Sequence, residues 1–360
     1  MPVSPASRRR LVATVPAALL VLAAAPAGAQ AAPPPGNASP STTTLPPVQA
    51  PTGSGAIDWL RRMHEAARTT EYVGTFVVST GAGALSSARI WHACDGPVCI
   101  ERVETLSGPQ RSTFRRNELV RTFLPDQRLV KTEQRENLDV FPNLLGATEG
   151  SITEFYDARP LGRGRVAGIE ADVVQIVARD AMRFGYRVWC ERRSGLVLKL
   201  QTLDVRGAVV EQSAFSELQF EEPMPVPALA EMMDNTQGWK TERSRLESVN
   251  VDAEGWTLSQ PVPGFKPVSS YLRPIGEPRF FFGPRKRILQ WTFSDGLATV
   301  SLFLEPYGDQ PRQEGAQAQG ATYTLSRKLP DAAGDWWLTA VGEVPMRTLD
   351  AFARALARTR

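Results

Sequence analysis

The residues able to do chemistry in this sequence are clustered arginines, a close cysteine pair, and a histidine followed by glutamate. Asp157 to Arg165 sets Arg159, Arg163 and Arg165 in a Gly/Pro-rich stretch with a single acid. Guanidinium forks in such a run suit carboxylates or phosphates. The same stretch can equally be a solvated connection whose arginines pair with neighbouring strands. A second basic run, Arg285, Lys286 and Arg287, follows Arg273 and Arg279 and borders Phe280, Phe281 and Phe282. Consecutive phenylalanines in a Pro-flanked stretch must pack at a domain interface or meet a ligand. Cys94 and Cys99 bracket Asp95-Gly96-Pro97-Val98, a turn that brings two strand ends together, so a disulfide across it is expected in an oxidising compartment. Cys190 lies on an apolar strand face and reads as an inert core thiol.

Catalytic constellations are missing. His64-Glu65 opens the H-E-x-x-H pattern, but Arg68 stands where the second ligand belongs, so no zinc site forms there. The remaining histidine, His92, fits no triad, and neither a G-x-S-x-G elbow nor a phosphate-binding Walker loop is present. Glu221-Glu222 reads as a solvated edge. No catalytic residue, metal or cofactor is assigned, and binding is the favoured class of function over an enzyme.

The elements that must position these residues begin after an exported leader. Arg8 to Arg10, an apolar run from Leu11 to about Ala25, and Ala27-Gly28-Ala29 describe a signal peptide over residues 1–29, so the mature chain is expected to be exported. Residues 30–55, rich in Pro, Ala, Thr and Gly, cannot bury a core and read as a flexible leader. The signal holds three arginines and no acid, so the formal +3 of the whole chain falls to zero in the mature one, and nucleic acid is not an expected partner.

From Ala56 to Arg68, Trp59, Leu60, Met63, Ala66 and Ala67 recur at helical spacing. Short strands with Gly and Pro turns follow to Thr132, an antiparallel sheet or partial barrel. Asn137 to Arg165 interrupts the pattern as loop with a short helix near Ser151 to Tyr156. Asp172 to Asp204 then reads as a three-strand meander, in which Phe184, Tyr186, Val188 and Cys190 alternate with Gly185, Arg187, Trp189 and Glu191. Pro223, Pro225 and Pro227 deny a central strand its donors. The domains expected are therefore 56–222 and 236–360, joined by a linker at 223–235. In the second, a hairpin turns at Ser294-Asp295-Gly296, with Gly296 chosen for positive φ, a Gln/Gly/Ala loop spans Tyr307 to Gly320, and a helix containing Leu349, Phe352, Ala353 and Leu356 closes the chain.

The chain resembles the MucB/RseB periplasmic regulators of envelope stress over nearly all of residues 56–360. The likeness lies in Glu71-Tyr72 through Phe76-Val77, Ser107-Gly108-Pro109 with Arg111, Phe155-Tyr156-Asp157, Gly162 to Gly168, and Arg179-Asp180 with Arg183 to Trp189. It continues in Pro263-Gly264-Phe265, Phe293 to Ala298 and Val341 to Pro345. The resemblance implies an α+β protein: a LolA/LolB-like unclosed antiparallel β-barrel covered by helices, then a smaller α/β sandwich-like domain. It also implies binding to the periplasmic segment of an RseA/MucA-like anti-sigma factor, shielding of that segment from the first protease of a cascade, and release by lipopolysaccharide or another acylated ligand.

Arg111, Arg163 and Arg165 are expected to anchor anionic groups at the first domain's mouth, with Phe281, Arg285, Lys286 and Arg287 as a second binding patch. A homo-oligomer is left open. The alternative is a periplasmic lipid or lipoprotein carrier, which accounts for the first domain and leaves the second idle.

Overall fold

The computed structural model describes residues 55–134, 149–220, 224–243, 246–274, 287–308, 311–332 and 334–359. The first helix, α1 (Ala56–Thr69), buries Trp59, Leu60, Met63 and Ala66 along one stripe. The Asp58 carboxylate, in its first turn, accepts the Gly55 N–H at 3.1 Å, where an acid also suits the helix dipole. Strands follow in short hairpins: β1 (Tyr72–Thr80), β2 (Leu85–Asp95), β3 (Val98–Thr105), β4 (Ser112–Arg116), β5 (Leu119–Leu124) and β6 (Leu129–Gln134). Beyond α2 (Glu149–Phe155) come β7 (Tyr156–Val166), β8 (Ile169–Ala178), β9 (Gly185–Glu191), β10 (Val197–Leu203) and β11 (Val209–Gln219), then α3 (Val226–Asp234) and β12 (Lys240–Arg243).

These strands form one 12-stranded sheet in the order β12-β6-β5-β4-β3-β2-β1-β11-β10-β9-β8-β7. Its ends, β12 and β7, do not pair with each other, so the barrel is unclosed. The expected meander is β8–β10, and its two-residue period sorts the side chains. Tyr186, Val188, Cys190 and Leu200 pack with Leu60 and Met63 of α1, while Arg187, Trp189, Lys199 and Gln201 alternate with them and lie on the opposite face.

Within this first part of the chain two stretches differ from the sequence expectation, and proline explains both. Asp157 to Arg165, read as loop, lies within β7 and pairs antiparallel with β8, with a register shift between Pro160 and Gly162. An edge strand tolerates a proline that a central one would not. Residues 224–235, read as linker, hold α3: Pro225 caps it, Pro227 sits in the first turn where no N–H is needed, and Leu229 and Met233 pack on Ile100, Phe114, Phe123 and Val130. The chain then adds β12 parallel to β6 on the sheet's edge.

A second sheet contains β13 (Glu247–Ser248), β15 (Lys266–Pro274), β16 (Arg287–Ser294), β17 (Thr299–Pro306), β18 (Gly315–Gln319), β19 (Thr322–Leu329) and β20 (Trp336–Gly342), ordered β13-β15-β16-β17-β20-β19-β18. The expected hairpin is β16–β17, while β18 occupies part of the stretch read as a Gln/Gly/Ala loop. Helix α4 (Met346–Ala355) lays Leu349, Phe352 and Ala353 into a core with Val300, Leu302 and Leu338. Strand β14 (Trp256–Leu258) pairs with β21 (Leu356–Arg358) beside it. Among the described residues no helix is long and apolar enough to cross a membrane.

Candidate functional site

The two sheets meet at a buried joint built from short stretches distant in sequence. At its centre stands Asp295, in the turn between β16 and β17. Its Oδ1 accepts the backbone N–H groups of Leu297 at 2.9 Å and Ala298 at 2.8 Å, which fixes the turn. Gly296 beside it has φ 98°. The other oxygen, Oδ2, accepts the Tyr156 hydroxyl at 2.8 Å and Arg183 Nε at 2.7 Å, both from the first sheet's side.

Arg183 stands between β8 and β9, and its side chain, like that of Asp295, has no solvent exposure. Nη1 donates to Asp180 Oδ2 at 2.5 Å and Nη2 to the Pro263 carbonyl at 2.5 Å. The guanidinium lies over Phe155 at 4.0 Å and Phe265 at 4.9 Å. Gly264, at φ 81°, leaves the room this needs, because a Cβ there would lie 2.1 Å from Nη2. A buried cation is tolerated only when paired and hydrogen-bonded, and here two carboxylates, a carbonyl and two rings supply that. Burial, then the Asp295 charge, pushes the Tyr156 hydroxyl well above its ordinary pKa, so it stays a neutral donor.

Two further contacts flank the joint. The Thr348 hydroxyl at the start of α4 donates to the Met182 carbonyl. Glu211 of β11, buried, accepts the Ala321 N–H at 3.1 Å beneath the β18–β19 turn, and desolvation raises its pKa. Phe184 and Tyr323 meet at 5.9 Å between them. Since Tyr156 and Arg183 both donate to Asp295, the arrangement holds two sheets together and leaves none of the three as a free base or nucleophile.

The residues expected to bind anions are dispersed. Arg163 and Arg165 are exposed on edge strand β7, where Arg165 Nε donates to the Gly168 carbonyl at 2.9 Å within its own hairpin. Arg111 precedes β4, and its backbone N–H donates to Thr105 Oγ1 at 2.9 Å. Seven strands separate β4 from β7 in sheet order. Arg287 opens β16, exposed, with Nη1 3.4 Å from Glu247. Phe281, Arg285 and Lys286 lie outside the described residues.

Cys94 and Cys99 are opposite one another in the β2–β3 ladder and are bridged, with Cα atoms 4.1 Å apart. With His92 they form a cluster of metal-ligand types whose candidate atoms lie within 4.8 Å. The bridged sulfurs offer no thiolate, and His92 Nδ1 is 2.7 Å from the Thr70 carbonyl.

The joint's residues were not among those the sequence singles out for binding. The available signal was indirect: Phe155-Tyr156, Arg183 to Trp189, Pro263-Gly264-Phe265 and Phe293 to Ala298 are stretches that carry the family resemblance, and all four converge here.

Comparison with known proteins agrees along the chain. The model of the MucB/RseB N-terminal domain matches residues 55–233, thus through α3, and that of the C-terminal domain matches residues 250–357. The sigma factor AlgU regulatory protein MucB of Pseudomonas aeruginosa is 28% identical over 313 residues, covering 86% of this chain and 93% of the relative. The sigma-E factor regulatory protein RseB of Escherichia coli K12 is 26% identical over 302 residues, covering 83% and 89%. The crystal structure of MucB in complex with MucA(peri) aligns with a TM-score of 0.63 at 26% identity, covering 85% of this chain and 99% of that one. The structure of the Pseudomonas aeruginosa MucA/MucB complex gives 0.64 at 26% identity. With both of its sheets matched in order, the chain belongs to the MucB/RseB family of sigma-factor regulatory proteins.

Proposed function

We propose that this protein is a periplasmic negative regulator of a sigma-E-type envelope stress response. It binds the periplasmic segment of a membrane-spanning anti-sigma factor, shields that segment from site-1 proteolysis, and lets go when lipopolysaccharide or another acylated ligand binds. Its action is stoichiometric, with no turnover. The observation that carries this reading is the likeness, over 85% of the chain, to MucB in its complex with MucA(peri).

The larger sheet serves as the ligand-capturing domain and the smaller as the regulatory one, and the buried joint sets their mutual orientation. Exposed Arg163 and Arg165, with Arg111, remain the candidates for anionic groups at the first sheet, and the basic segment ending in Arg287 remains the second candidate patch.

Calorimetric titration of the mature protein with the anti-sigma segment of its own organism tests the proposal. Binding at micromolar Kd or tighter, about −8 kcal/mol or better, is expected, weakened when lipopolysaccharide is added. Absence of segment binding with acyl chains still captured would move the assignment to a lipid or lipoprotein carrier.

A further inference from the structure

At the C-terminal end of α1, three side chains of metal-ligand type gather beside a helix carbonyl. His92 and Cys94 alternate on β2, and Cys99 stands opposite Cys94 on β3, so all three share one face of the hairpin. Their candidate ligand atoms lie within 4.8 Å of one another. The Arg68 carbonyl lies 3.3 Å from both sulfurs. Arg68 belongs to the last turn of α1, whose carbonyls lack intrahelical donors, and the capping N–H of Thr70 goes to Ala66 instead. The helix dipole favours a cation at this end.

The histidine is prepared for the same task. Its Nδ1 lies 2.7 Å from the Thr70 carbonyl, which can only accept, so Nδ1 carries the proton and Nε2 keeps its lone pair. Imidazoles that bind metal are oriented in this way, by giving their other N–H to a carbonyl or carboxylate. Tyr72, stacked on the ring at 5.6 Å, holds its plane.

What stands in the place of an ion is the disulfide. In a tetrahedral zinc site two thiolate sulfurs stand about 3.8 Å apart, and a sulfur and an oxygen ligand about 3.6 Å. Side-chain rotation that parts the sulfurs therefore opens room for a cation, with the Arg68 carbonyl already near the required spacing from both. The hairpin does not depend on the bridge, because the β2–β3 ladder runs on from Ala93 and Ile100 to Ala88 and Thr105. Cys94 and Cys99 are half-buried and the turn between them is exposed, so a reductant can reach them. Cys190, buried in a different core cluster, takes no part.

We propose that Cys94, Cys99 and His92 form a redox-gated zinc site, closed while the cysteines are bridged and opened by a dithiol reductant. The reductant's two thiols become a disulfide, and its two electrons and two protons break the Cys94–Cys99 bond and yield two thiols. On binding Zn²⁺ both thiols lose their protons to solvent, and the ligands are two thiolate sulfurs, His92 Nε2 and the Arg68 carbonyl oxygen. The loaded site clamps the end of α1 to the β2–β3 hairpin. This chemistry goes beyond the regulator reading and does not depend on it.

The test uses the mature protein, oxidised or reduced with a phosphine under argon, titrated with Co²⁺ as a spectroscopic stand-in and then with Zn²⁺. At one equivalent the reduced protein should develop the thiolate-to-cobalt charge-transfer band and intense visible bands of a tetrahedral ion, bleached by Zn²⁺. The oxidised protein should show neither. Cys190→Ala should keep the spectrum, and His92→Ala should weaken Zn²⁺ about a hundredfold, one ligand's share of such a site.

No tetrahedral spectrum after reduction, equal metal binding by the oxidised protein, loss of the spectrum in Cys190→Ala, or undiminished affinity in His92→Ala would overturn the inference. The oxidised and reduced samples are the same chain, so their comparison decides the matter even where the histidine variant fails to fold.

Discussion

Asp295 divides its two oxygens between the two sheets, two hydrogen bonds to its own turn and two to groups from the other side. Truncating it would leave Arg183 buried with only Asp180 opposite, so Asp295→Ala is expected to cost about 3–5 kcal/mol in urea unfolding. The double variant Arg183→Met, Asp295→Leu should cost less than the sum of its singles by about 0.5–3 kcal/mol. Strict additivity would show that the pair is not an energetic unit.

The sequence made one half of Asp295 readable: a turn residue before a glycine that takes φ 98°. Its other half depends on partners 112 and 139 residues away, which no local pattern displays. Among the arginines, local pattern and enclosure point to different residues. Arg163 and Arg165 stood out because glycine and proline surround them, yet Arg165 is used by its own hairpin, while the fully enclosed Arg183 stands at the β8–β9 corner, just before an apolar alternation that reads as scaffold.

At the level of elements, periodicity served well and proline poorly. The meander, α1, the β16–β17 hairpin and the body of α4 follow from spacing, because one buried face per element leaves a direct imprint on the sequence, but Leu356, counted by the same spacing into the closing helix, is its C-cap and opens strand β21, where pairing with β14 sets the backbone instead. Proline signals only what a backbone cannot donate, and both an edge strand and a first helical turn satisfy that condition, hence β7 and α3.

Glycine in a strand interior is the complementary case. A Cβ on Gly74 of β1 would lie 2.7 Å from the Glu217 carbonyl oxygen and 2.8 Å from the Phe215 ring. Gly74→Ala should therefore destabilise by about 1–3 kcal/mol through overpacking, measured by thermal or urea unfolding. Gly315→Ala on β18, where nothing lies within 4 Å, should stay within about 0.5 kcal/mol of wild type. A harmless Gly74→Ala would contradict the tight β1–β11 approach.

Across the whole molecule, the seam between the sheets has a charged end at Arg183 and a titratable one at Glu211. Burial raises the Glu211 pKa, so the folded state holds its proton longer than the unfolded chain. The stability this confers is fully present below the ordinary carboxylate value and is lost as pH rises through the folded pKa. A permanently neutral Glu211→Gln keeps the acceptor for Ala321 and should gain stability over wild type as pH rises from 4 to 7. Parallel pH profiles for the two proteins would show that Glu211 is not the titrating group.

The short strand β12 has a mechanical consequence. Lys240 to Arg243 zips onto the edge of the larger sheet, and Glu247 already belongs to the smaller one. Four residue steps of covalent chain allow a span of about 14 Å at full stretch. That leash limits how far the halves could part if the joint were opened. Any wider excursion must peel β12 from β6, which would make a displaced domain withdraw a strand from its neighbour and bare the β6 edge.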